Sequence, residues 1–167
     1  MDAIEVLKTR RSIRSYTTQP IAREILEDLV DCGRLAATAI NIQPWEFVAV
    51  TSREGLQRLG AIAVYGKFIA DCTACIVVFC KEGTWYLEDG SAASENILLS
   101  AKAHGLGGCW VAGDKAEYAA EVCKELGAPE GYRLVSLIAL GYPGPPRPED
   151  KVAEKRSLQE VTHWEKF

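Results

Sequence analysis

The sequence predicts a single α+β domain carrying a C-terminal arm, and three observations lead there. Helical periodicities and short runs of β-branched and apolar residues follow one another with no internal repeat. The 167 residues are 48% apolar and 25% charged, enough to bury a core without disulfide staples. After Gly141 the composition shifts to Pro143, Pro145, Pro146 and Pro148, a stiff tether that cannot enter a sheet interior. No run nears the roughly 18 consecutive apolar residues of a membrane span, and Met1 to Glu5 lacks the basic and apolar regions of a signal peptide. A cytoplasmic protein with no membrane partner is expected. The net charge of −4 offers no general attraction to nucleic acid, so an anion site requires a local basic cluster.

Taken in order, Asp2 and Glu5 form a candidate capping box opening a helix from Ala3 to about Lys8, with Ile4 and Leu7 one turn apart. After Pro20 a second helical pattern runs from Ile21 to about Leu35, striped by Ile25, Leu26, Leu29 and Val30. Ala37 to Pro44 reads as a turn, Trp45 to Val50 as a strand, and Ser52 caps a short helix ending near Leu59. Cys75 to Cys80 is a buried strand. Tyr86 to about His104 is a long helix closed by Gly105, and its centre from Ala92 to Leu99 is small and apolar on most sides. Gly107 to Ala112 is a short strand, and Asp114 with Glu117 suggests a second capping box opening a helix that ends near Gly127. Tyr132 to Leu140 is the last strand. The tail from Glu149 to Phe167 is charged yet carries Val161, Trp164 and Phe167, which need a surface to cover.

Cys72 and Cys75 have the CxxC spacing of a redox or metal pair, but the apolar run after them reads as core, and a second ligand pair is missing. No metal site is expected. His104 and His163 lie at element ends with no acid in view and are read as structural.

Three segments carry chemistry. Arg10, Arg11, Ser12 and Arg14 gather three guanidinium groups and a hydroxyl at the end of the first helix; a solvated basic turn is the plain reading, a compact phosphate site the functional one. Ala37 to Phe47 lodges polar amides and a proline turn between apolar elements, as an ordinary connection or a ligand-facing loop. Gly105 to Gly113 is glycine-rich, yet it follows a helix and so is not a dinucleotide fingerprint.

In combination these segments resemble the nitroreductase family along nearly the whole chain. TRRSIRSY (9–16) resembles that family's RRSxRxF element and ATAINIQPWEF (37–47) its PSAxNxQPWxF element. ENILLSAKAHGLGGCWVAG (95–113) resembles NxxLAAxxxGLGxxWxG, and LIALGYPG (137–144) with KRSLQEVTHW (155–164) resembles the closing GYP and basic tail. The resemblance implies a central mixed, mainly antiparallel sheet flanked by helices, with the arm, about residues 143–167, exchanged in a homodimer. It implies FMN shared between two subunits: Arg10, Arg11, Ser12 and Arg14 on the phosphate and ribityl chain, with Arg156 as a further phosphate partner. Thr38, Ala39 and Asn41 would come from the other subunit. Trp110, Ala112 and Gly113 would place backbone near the ring, and Lys67 would lie near its pyrimidine end as a charge stabiliser.

The implied activity passes electrons from NADH or NADPH through FMN to a small acceptor such as a quinone or nitroaromatic, by a ping-pong mechanism without a catalytic side chain. A non-catalytic flavin-binding or flavin-sequestering protein is the alternative, and a nucleic-acid module built on the arginines is disfavoured by the acid excess. Ala37 and Thr38 stand where the family has Pro-Ser. The stretches between Leu59 and Cys75 and between Cys80 and Tyr86 are short for the family, which predicts an open or differently covered pocket.

Overall fold

A computed structural model describes residues 2–147 and 154–167. Helix α1 (Ala3–Thr9) begins where the Asp2 carboxylate accepts the N–H groups of Ile4 at 2.8 Å and Glu5 at 3.2 Å, two donors that a helix start otherwise leaves unpaired. Val6 is its buried residue, while Ile4 and Leu7 face outward at 57% and 56% exposure. Helix α2 (Arg23–Arg34) starts two residues later than its periodicity suggests and turns Leu26 and Leu29 inward. Strand β1 (Trp45–Val50) follows a 3₁₀ turn at Ala39–Asn41, and α3 (Arg53–Ile62) is capped by the Ser52 hydroxyl on the N–H of Gly55. A second 3₁₀ turn, Lys67–Asp71, fills the short stretch before β2 (Ala74–Lys81). Helix α4 (Tyr86–Ala103), β3 (Gly107–Ala112), α5 (Ala119–Glu125) and β4 (Tyr132–Gly141) complete the domain.

The four strands form one sheet in the order β1-β2-β4-β3, and every pairing between them is antiparallel. The parallel element expected of a mixed sheet is reduced to one bridge, Ser12 to Gly108. β2 and β4 are buried along almost their whole length because helices cover both faces of the sheet. On one face α2 and α4 pack over Ile76, Val78, Ile138 and Leu140; on the other Leu56, Leu59, Ile69 and Val122 cover Val77, Phe79 and Leu137. β1 and β3 are the edges, and β3 carries one of the glycine-rich segments.

Two expectations fail here for long-range reasons. The Asp114–Glu117 capping box does not form: Asp114 instead accepts the Tyr86 hydroxyl at 2.7 Å and an Arg133 N–H at 3.4 Å, and α5 begins at Ala119 with no side-chain cap. His104 does have an acid partner, Asp28 on α2, 2.6 Å away. In the arm, residues 148–153 lie outside the described residues, and the rest is not wholly extended: Ser157 and Glu160 form a reciprocal capping box on α6 (Leu158–Val161). Trp164 and Phe167 beyond it are exposed, at 85% and 109%. Among the described residues no helix is long and apolar enough to cross a membrane, and no group of three or more His, Cys, Asp or Glu side chains is placed to hold a metal ion. All six cysteines are thiols; Cys72 donates to the carbonyls of Ile69 and Ala74, as a small polar hydrophobe rather than half of a redox pair.

Candidate functional site

The arginine segment leaves α1 and runs alongside edge strand β3. The N–H of Ile13 donates to the Gly108 carbonyl at 3.1 Å, and an added Cβ on Gly107 would lie 2.7 Å from Ile13 Cβ, so a bare backbone at 107 permits this approach. The register therefore sets Arg10 to Arg14 beside the start of β3. From the opposite layer the second 3₁₀ turn arrives at the same edge: Arg14 lies over the Phe68 ring, 5.9 Å from its centroid, and Gly66 packs against Val111. Arg10, Arg14, Lys67 and the β3 backbone are thus one neighbourhood assembled from three parts of the chain.

Its charge balance is uneven. Arg10 meets Glu95 of α4 at 3.4 Å, with the two side chains 26% and 45% exposed. Among the described residues no carboxylate pairs with Arg14 or Lys67. In a chain of net charge −4, these cations lie beside one sheet edge, and of the three only Arg10 meets a carboxylate among the described residues. Arg11 is used differently: one guanidinium nitrogen donates to the carbonyls of Lys8 at 2.9 Å and Arg10 at 2.7 Å, closing the end of α1. Ser12 is exposed beside them. At the far end of β3 Gly113 is buried, and a Cβ there would sit 2.6 Å from the Val135 carbonyl, so this glycine serves the packing of β3 on β4. Trp110 is half-buried against the α2–α4 core, and Ala112 is exposed on the edge.

Thr38, Ala39 and Asn41 form a separate group, held by α4 through a residue the sequence did not single out. Asp89, only 5% exposed in the first turn of α4, accepts the Thr38 hydroxyl at 2.9 Å and the Ala39 N–H at 3.0 Å. Thr38 Oγ1 also accepts the N–H of Gln43 at 3.2 Å, and Gln43 Nε2 donates to Asn41 Oδ1 at 3.1 Å. The turn is strained: Ile40, Asn41 and Gln43 have φ of 43°, 60° and 52°, a region costing non-glycine residues on the order of 1 kcal/mol each. Threonine in place of the family's serine keeps the hydroxyl that makes the Asp89 bond. Ala39 N–H is spent on Asp89, while the Asn41 Nδ2 donors have no partner among the described residues. Arg156 stays within the arm, donating to the Glu160 carbonyl at 2.5 Å. Arg10, Arg14, Lys67 and β3 are thus connected through one sheet edge, whereas the contacts of the Thr38 group run to Asp89 and those of Arg156 to Glu160.

The fold and this neighbourhood define an α+β protein with a cationic patch on the edge of an antiparallel sheet. The chain belongs to the nitroreductase family, whose sequence profile matches residues 7–70 and 68–142. A Methanothermobacter thermautotrophicus protein, provisionally named NADH dehydrogenase/NAD(P)H nitroreductase, is 35% identical over 150 residues, spanning 86% of this chain and 78% of its own. A solved structure with the same provisional name from Bacteroides thetaiotaomicron superposes with a TM-score of 0.90 at 28% identity, covering 99% of this chain and 98% of that one. A provisionally named nitroreductase from Desulfovibrio desulfuricans, solved in complex with FMN, gives a TM-score of 0.85 at 26% identity over 100% and 98% of the two chains.

Proposed function

We propose that this protein is an FMN-dependent oxidoreductase that takes electrons from NADH or NADPH and passes them to a small acceptor such as a quinone or nitroaromatic, working by a ping-pong mechanism as a homodimer. The observation that carries the reading is the set Arg10, Arg14 and Lys67 beside β3, of which only Arg10 meets a carboxylate among the described residues, in a chain of the nitroreductase family. The donor set suits one phosphate: guanidinium forks match phosphate oxygens in pairs, and Ser12 adds a hydroxyl. Arg10, Ser12 and Arg14 would hold the FMN phosphate and ribityl chain, with Arg11 contributing the nitrogens not committed to α1 and Arg156 reaching the phosphate from the arm. Bound FMN supplies the two-electron chemistry. The β3 backbone from Trp110 to Gly113 orients the ring system, and Lys67 provides the positive charge that favours its reduced, anionic form. Thr38, Ala39 and Asn41, held on Asp89 and making no hydrogen bond to the arginines among the described residues, would serve the partner's site. Ile4, Leu7, Trp164 and Phe167, exposed in the single chain, are the surfaces such a dimer would cover.

The test is optical. The purified protein should be yellow and release FMN, and anaerobic NADH or NADPH should bleach the flavin band. A quinone or nitroaromatic should restore it, with parallel lines in double-reciprocal plots. Bleaching by dithionite but by neither nicotinamide would replace this reading with that of a flavin-sequestering protein.

A further inference from the structure

Asp89 is a buried carboxylate with no cationic partner among the described residues, an arrangement that costs stability unless the acceptor oxygens are satisfied. Two donors satisfy it, and both belong to one short turn: Thr38 Oγ1 on one carboxylate oxygen and Ala39 N–H on the other. Within itself the turn is closed by the N–H of Asn41 on the Thr38 carbonyl at 3.3 Å and that of Ile42 on the Ala39 carbonyl at 3.1 Å, but the Asp89 bonds are what tie it to α4. Ile40 at its tip is 92% exposed, so packing does not offset three non-glycine residues at positive φ. The chain of contacts runs from Asp89 to Thr38, on to the Gln43 N–H, and from the Gln43 amide to Asn41 Oδ1, ending on the residue whose Nδ2 donors are unspent. The start of α4 favours a negative charge here, but it does not dictate a bond to a loop 50 residues away in sequence. A buried acid that holds a strained, exposed amide in one conformation has the form of a site-preorganising group.

We propose that Asp89 is a positioning residue: through Thr38 and Ala39 it fixes the turn that presents Asn41 to FMN in the partner's half-site, touching no cofactor itself. This rests on the proposed function. The full-length protein and its Asp89→Asn, Thr38→Val, Thr38→Ser and Asp89→Asn/Thr38→Val variants are titrated with FMN, following flavin fluorescence and visible circular dichroism. Losing a hydrogen bond to the carboxylate should weaken FMN binding about tenfold in Asp89→Asn and in Thr38→Val and change the flavin dichroism, while Thr38→Ser restores both. Because the two residues act as one unit, the double variant should be no worse than the weaker single one. If Asp89→Asn does not fold, Asp89→Glu replaces it, since displacing the carboxylate from Thr38 and Ala39 should weaken FMN binding in the same direction. Wild-type affinity and dichroism in a folded Thr38→Val protein, or fully additive losses in the double variant, would overturn the role of Asp89 while leaving the proposed function intact. A wild-type chain that does not bind FMN overturns the proposed function, and this inference with it.

Discussion

Replacing Arg10 and Arg14 by alanine removes the two guanidinium groups that the proposed function assigns to the FMN phosphate, and their surroundings say how the loss divides. Each charge-assisted hydrogen bond contributes about 1.5–3 kcal/mol, so the pair is worth about 3–6 kcal/mol, on the order of 10²–10⁴ in the FMN dissociation constant. The shares differ. Arg10 must loosen its 3.4 Å contact with Glu95, a partly exposed pair of the kind worth about 0.2–1 kcal/mol, whereas Arg14 keeps its Phe68 ring and gives up no carboxylate. Arg14→Ala should therefore weaken FMN more than Arg10→Ala. By the same logic Glu95→Gln releases Arg10 and should tighten FMN by up to about fivefold, the equivalent of 1 kcal/mol. Titrating apoprotein with FMN and following flavin fluorescence at two salt concentrations measures all four variants, with the wild-type affinity falling at the higher salt. Retention of wild-type affinity in the double variant, or weaker binding in Glu95→Gln, refutes the phosphate assignment.

Two other outcomes follow from the arm and the thiols. A chain ending at Pro148 loses Arg156, Trp164 and Phe167 together; by sedimentation equilibrium and flavin absorbance it should lose dimer and flavin in parallel, since the proposed arm-exchanged interface would bury roughly 2,000 Å² or more, and a truncated dimer with full flavin contradicts arm exchange. Burial holds the Cys72 thiol up to about 11 and drives Cys75 upward too, so between about pH 9 and 11 the folded chain keeps protons that the unfolded chain has released. Stability is full below about pH 8.5 and falls by up to about 1.4 kcal/mol per pH unit for each thiol above it. Urea midpoints from pH 8 to 10.5 read the fall, which Cys72→Ala should make shallower; a flat profile contradicts it.

What the sequence disclosed and what it hid divide by the range of the interaction. Trp45–Val50 and Gly107–Ala112 are legible to the residue because their patterns and flanking turns are local, as is the Asp2 cap of α1. The Asp114 cap failed because Tyr86 and Arg133, 28 and 19 residues away, claim its carboxylate. The Asp28 partner of His104 lies 76 residues distant and was invisible for the same reason. In the candidate site the arginines announced themselves by clustering. Asp89 did not, because an acid in the first turn of a helix looks like an ordinary response to the helix dipole until its burial and its bonds to Thr38 and Ala39 are seen. Arg11 clustered with its neighbours in sequence, yet part of its guanidinium closes α1.

The buried thiols have a chemical consequence for the quinone acceptors of the proposed function. Quinones are electrophiles as well as oxidants, and the species they alkylate is the thiolate. Cys72, Cys75, Cys80 and Cys109 are all buried, and for the first three desolvation holds the sulfur in its protonated form, Cys80 up to about 12. A sheet rich in cysteine would thereby be shielded from alkylation by such acceptors, and adduct formation would begin at the half-buried Cys32 on α2 and Cys123 on α5.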